Sequence, residues 1–131
     1  MKAVMIRDME PQDRFLAVDL HHVLAALGQR ALASEWRVRD VWATGDATPA
    51  LESLNEEQVV SGQRLFELAQ NVVQVIDGVF SGYEPDTSSP WVIVEARDSS
   101  YYAVHSDESA VLAHIQKMFQ KVTPYEYEVA S

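Results

Sequence analysis

Hydrophobic and polar positions alternate most regularly between residues 58 and 80, QVVSGQRLFELAQNVVQVIDGVF. Spaced at about 100° per residue, Val59, Leu65, Phe66, Leu68, Ala69, Val72, Val73, Val75, Ile76, Val79 and Phe80 fill roughly half of a helical wheel. Gln63, Arg64, Glu67, Gln70, Asn71, Gln74 and Asp77 occupy the remaining arc. A helix that apolar must be covered on most sides, so the pattern predicts one long central helix. Asn55 with Gln58 forms its capping box, and Gly78 or Gly82 closes it.

The same periodicity predicts two further helices. Pro11 suits a first helical turn, and Leu16, Leu20, Val23, Leu24, Leu27 and Ala31 follow it as a stripe that Gly28 weakens near its end. A last helix starts at Ser106 or Asp107, with Val111, Leu112, Ile115, Met118, Phe119 and Val122 on one face. Acidic residues in its first turn and Lys117 and Lys121 in its last complement the helix dipole, and Thr123-Pro124 stops it.

Strand signals are shorter. Residues 36–44, WRVRDVWAT, are rich in β-formers, and their alternation slips at Asp40, which predicts a bulge or a strand end. Trp91–Arg97 and Tyr101–Ser106, separated by Asp98-Ser99-Ser100, read as a hairpin. Gly45–Pro49 and Ser81–Pro90 read as loops, and the tail after Pro124 alternates tyrosine and glutamate like an edge strand. The order α-β-α-β-β-α predicts a two-layer α+β domain, with three helices on one face of a small, largely antiparallel sheet. A chain of 131 residues suits a single globular domain spanning 1–131.

Composition narrows the function classes. The chain has no cysteine, so disulfides and thiolate metal sites are excluded, and a reducing cytoplasm is the compatible compartment. The longest apolar runs fall far short of the ~20 residues that span a bilayer, and the N-terminus has no apolar signal-peptide core. A net charge of −10 is unsuited to nucleic acid, whose phosphates require a basic footprint, and suits a basic protein partner.

Candidate chemistry is sparse. His21 and His22 are adjacent and diverge by about 100° on a helix, and the sequence lacks HExxH, G-x-S-x-G and phosphate-loop motifs. His114 reads as a boundary histidine. Asp46, Glu84, Asp86 and Asp98 lack EF-hand spacing. No catalytic residue, metal site or cofactor is expected. The acid–base pair most compatible with the pattern is His105 with Glu95 or Asp98.

Surfaces are more informative than motifs. One face of the hairpin is left over in a two-layer fold and carries aromatic or aliphatic groups. Tyr83, Glu84, Asp86 and Trp91 precede or open the hairpin, Asp98 sits at its turn and Tyr101 follows it. If the fold gathers these six, they form an acidic, aromatic contact site for a protein partner. Phe15, Val18 and His22, behind the first helix, are the expected contact of a homodimer. The leading expectation is a non-catalytic interaction protein, for which an acidic immunity- or antitoxin-like inhibitor is the concrete form. A small-ligand-binding accessory domain and a small enzyme with a dispersed acid–base site are the alternatives.

Overall fold

A computed structural model describes residues 1–9 and 16–125. The strands are β1 (Lys2–Ile6), β2 (Glu35–Thr44), β3 (Val60–Ser61), β4 (Gln74–Tyr83), β5 (Val92–Arg97), β6 (Tyr101–Ser106) and β7 (Val122–Tyr125). They form one sheet in the order β3-β2-β4-β5-β6-β1-β7, with every neighbouring pair antiparallel. The helices are α1 (Leu20–Leu27), α2 (Gln29–Ala33), α3 (Thr48–Glu52), α4 (Gly62–Gln70) and α5 (Ser109–Met118). The class is α+β, as the sequence predicts, but the count and order of elements differ.

The largest difference lies in 58–80. Helix α4 spans only Gly62–Gln70, and the chain then enters β4, a central strand between β2 and β5. Five residues between 72 and 79 are β-branched: Val72, Val73, Val75, Ile76 and Val79. Their stiff side chains favour extended backbone, and a strand buried on both faces is as continuously apolar as a core helix. The capping residues move accordingly. Ser61 Oγ accepts from the Arg64 N–H and caps α4, whereas Asn55 Oδ1 accepts from Glu57 N in a local turn.

Other boundaries shift for similar reasons. Asp19 is the N-cap of α1, Gly28 at φ +78° ends α1 and opens α2, and Pro11 lies outside the described residues. Helix α5 begins after Glu108, and Thr123-Pro124 lies within edge strand β7 rather than simply stopping the helix. The expected tail strand extends beyond Tyr125, outside the described residues. The hairpin forms as predicted, with Asp98 and Ser99 both at positive φ in its turn.

Buried residues from the helices, among them Leu20, Ala31, Leu51, Leu65 and Ile115, form one cluster with Trp36, Val38, Phe80, Val92, Val94, Tyr102 and Val104. Ala3, Val79 and Ala103 are equally buried but lie outside that cluster, on the opposite face of the sheet. Gly62 brings α4 against α2: a Cβ there would sit 2.0 Å from the Ala31 carbonyl oxygen. No helix among the described residues is long and apolar enough to cross a membrane.

Candidate functional site

The slip at Asp40 is a bulge, and it decides which side chains the opposite face presents. Asp40 adopts φ +57°, and the β2–β4 register shifts between Arg39 and Trp42. Asp tolerates this left-handed conformation better than most residues. Without a bulge, Trp42 would share the face of Trp36 and Val38, which are buried with the helices. With it, Val41 and Ala43 turn to the core cluster, and Trp42 pairs with Asp77 on the other side. Trp42 is 57% exposed, in contrast to the buried Trp36 and Trp91.

Trp42 ends a cross-strand row. Asp77 is its partner on β4, and Arg97 pairs with Tyr101 on β6; against the effect of burial, the Arg97 pKa is raised first by the hydrogen bond and charge of Glu95, with Tyr101 and Asp77 adding less. The Arg7 guanidinium lies 5.5 Å from the centre of the Tyr101 ring, whose hydroxyl is 3.1 Å from that of Tyr125. That hydrogen bond is the main influence pushing the Tyr125 phenol up to about 12. Asp77 Oδ1 also accepts the Asp98 N–H at 2.9 Å, which fixes the hairpin turn beside the row.

Behind this row lies the acid–base pair. Glu95 and His105 are 2% and 1% exposed, and His105 Nε2 is 2.7 Å from Glu95 Oε1. They sit diagonally across β5 and β6, since Glu95 is level with Ala103. Arg97 Nε donates to Glu95 Oε2 at 2.7 Å, and Arg97 Nη2 ion-pairs with the same oxygen. Burial pushes the Glu95 carboxyl up, but the hydrogen bond from His105 and the bond and charge of Arg97 outweigh it and hold the group below its usual range. An ionised carboxylate only accepts, so His105 Nε2 carries the proton in this bond.

A pH dependence follows. Glu95 binds its proton less readily folded than unfolded, so its contribution is complete above the ordinary carboxyl range, about pH 4.3, and is lost as pH falls through the lower folded value. Melting temperature should therefore fall more steeply between pH 5 and pH 3 in the wild type than in Glu95→Gln. Parallel profiles would remove Glu95 as the source.

The six residues expected to form one contact site divide between the two ends of the sheet. Asp98 and Tyr101 lie at the hairpin-turn end, beside the Trp42 row. Tyr83, Glu84, Asp86 and Trp91 lie at the other, about 20 Å away along the six residues of β5. There Arg30 on α2 gathers the groups. Its guanidinium stacks 4.0 Å above the Trp91 ring and donates to Glu84 Oε1 at 2.8 Å and to both Glu108 carboxylate oxygens at 2.8 and 3.0 Å. Trp91 Nε1 donates to Ser34 Oγ at 2.9 Å. This knot joins α2, the 84–90 loop and the start of α5, so Glu84 and Trp91 are occupied within the molecule. Asp86 is exposed at φ +64°.

The expected dimer contact is also divided. Val18 is 7% exposed and belongs to the core cluster, and Phe15 lies outside the described residues. His22 is exposed, with Nδ1 accepting the Asp19 N–H at 2.9 Å. The two adjacent histidines do not diverge as helix geometry alone suggests: this bond turns His22 back, and the His21 and His22 rings lie 3.9 Å apart. His114 behaves as a boundary residue, with Nε2 hydrogen-bonded to the Ala26 carbonyl at 2.9 Å. Among the described residues no three His, Asp or Glu side chains are grouped to hold a metal ion.

Sequence reasoning offered His105 with Glu95 or Asp98; the structure brings His105 to Glu95 and leaves Asp98 at the hairpin turn against Asp77, and the reading missed Trp42, Asp77 and Arg97. The signal was the slip at Asp40, which reverses the side on which every later residue of the strand points. Compared with protein-family models, curated proteins and solved structures, the chain matches none.

Proposed function

We propose that this is a non-catalytic interaction protein whose contact surface is the hairpin-turn end of the opposite sheet face, centred on Trp42. The observation that carries the reading is the bulge at Asp40, which exposes a tryptophan in a row with Asp77, Arg97 and Tyr101. Exposing Trp42 forgoes the burial that stabilises Trp36. Tryptophan, tyrosine and arginine are also the side chains that most often carry the energy of a protein interface. The burial of Glu95 and His105 supports a non-catalytic role, because a substrate could not reach a pair whose facing atoms are committed to each other and to Arg97.

The partner is a protein, and the net charge of −10 favours one with a basic surface. An immunity- or antitoxin-like inhibitor acting in the cytoplasm is the concrete form of this reading. Affinity capture from the native host with wild type and Trp42→Ala tests it. The expected result is a basic protein retained by wild type, released at raised salt and lost from Trp42→Ala, with an unchanged circular dichroism spectrum. A partner retained equally by both would exclude Trp42 as the contact. Sedimentation of the two proteins alone distinguishes a second copy of the chain from a foreign partner.

A further inference from the structure

At the end of the sheet away from Trp42, a pocket of about 210 Å³ opens between the α1–α2 corner and the first turns of α5. Leu27, Trp91 and Val111 form apolar walls, and Arg30, Glu108 and His114 supply polar ones. These walls are already held in place. Arg30 lies 4.0 Å over the Trp91 ring and is fixed by Glu84 and by both carboxylate oxygens of Glu108. Trp91 is anchored through Nε1 to Ser34 Oγ and through its carbonyl oxygen, which accepts the Ser106 hydroxyl. His114 donates from Nε2 to the Ala26 carbonyl at 2.9 Å, since a carbonyl oxygen only accepts. In the neutral ring this leaves Nδ1 as an acceptor, and it has no partner among the described residues. The His114 side chain is exposed, so a molecule in the pocket can reach it.

We infer that this pocket binds a small uncharged aromatic molecule carrying one N–H or O–H donor, of which indole is a simple example. Size sets the first limit. A cavity of about 150 Å³ holds benzene, so the larger volume here suits two fused rings. Charge sets the second. Glu84 and Glu108 share one guanidinium, so the rim keeps an excess negative charge and disfavours an anion. The hydrogen bond from Arg30 holds the Glu108 carboxyl below its usual range, which keeps it ionised at neutral pH. Polarity sets the third. The Arg30 donors are committed to carboxylates, so the polar group of a ligand meets acceptors: His114 Nδ1 and the remaining lone pairs of Glu108. An ammonium group brings three N–H donors and a strongly held hydration shell into a mostly apolar pocket, whereas an aromatic N–H or O–H brings one. Leucine, valine and tryptophan walls with a few fixed polar groups are the usual lining of a small-molecule site, and walls held in place before binding reduce its ordering cost.

The test is a nuclear magnetic resonance titration of the ¹⁵N-labelled protein at pH 8 with indole. Two controls keep the rings: 1-methylindole lacks the donor, and indole-3-carboxylate adds a negative charge. The expected result is saturable shifts of the Leu27 and Val111 amides and the Trp91 Nε1–H with indole, binding at least about tenfold weaker with 1-methylindole, and no saturable shifts with indole-3-carboxylate. His114→Phe keeps a flat ring and removes the acceptor, so indole should fall to the affinity of 1-methylindole while 1-methylindole itself is unchanged. Val111→Trp fills the pocket and should abolish binding of both; if it loses its dispersed spectrum, the wild-type comparison and His114→Phe decide. No saturable binding of indole, equal affinity for indole and 1-methylindole, tighter binding of the carboxylate, or unchanged indole binding in folded His114→Phe would overturn the inference. The outcome is independent of whether Trp42 forms a protein contact.

Discussion

Replacing Glu95 with alanine should destabilise the protein by about 3–5 kcal/mol in chemical denaturation, among the largest single-residue effects in the chain. The carboxylate is 2% exposed and satisfies His105 with one oxygen and Arg97 with the other. Removing it leaves the His105 ring buried with a donor that has no acceptor, and it leaves the Arg97 guanidinium without its counter-charge. Arg97 is partly solvated and can recover some hydration, whereas His105 cannot. The network also sets register, because β5 and β6 shifted by one residue would place Glu95 and His105 on opposite faces. A cost below about 1 kcal/mol would mean that the three groups are not coupled as described.

Phe80→Ala should cost a further about 3–5 kcal/mol when made alone, through lost burial and the cavity left behind, while Val73→Ala should change stability by less than about 0.5 kcal/mol. Phe80 is fully buried in the core cluster from β4, and Val73 is 79% exposed in the turn before it. The contrast separates the strand from the single long helix that the periodicity of 58–80 suggests. On that helix Val73 and Phe66 share the apolar arc and both belong to the core. Here Phe66 is half-buried, and Leu65, Leu68 and Ala69 are the buried face of α4. Equal costs for Val73→Ala and Phe80→Ala would favour the helix.

What the sequence conveys depends on how distinct each local signal is. The hairpin was legible because two runs of β-formers flank Asp98-Ser99-Ser100, and the structure places positive φ at Asp98 and Ser99. Strand β2 and its irregularity at Asp40 were legible for similar reasons. Strand β4 was not, because a central strand apolar on both faces and a half-apolar helix populate the same wheel. The alternation test fails there, and only the run of β-branched residues distinguishes them. Strand β1 and helices α2 and α3 are five residues each, too short for either period to emerge. At the site, the sequence left His105 with either Glu95 or Asp98, and only the β5–β6 register, with Glu95 level with Ala103, selects Glu95. The six expected contact residues were close in sequence but not in space: strand β5 carries the chain from Trp91 at one end of the sheet to Asp98 at the other.

The measurement that most directly tests the proposed contact surface is the affinity of the captured partner for two variants altered at opposite ends of the sheet. Trp42→Ala removes the exposed aromatic group, and Glu84→Lys/Asp86→Lys reverses charge at the loop joined to Arg30. A central tryptophan typically contributes at least about 2 kcal/mol to an interface, so isothermal titration should show Trp42→Ala binding about 30-fold or more weakly. The loop variant, checked for an intact fold by circular dichroism, should bind within about threefold of wild type. Wild-type affinity in Trp42→Ala together with lost binding in the loop variant would contradict the account and place the contact at the other end of the molecule.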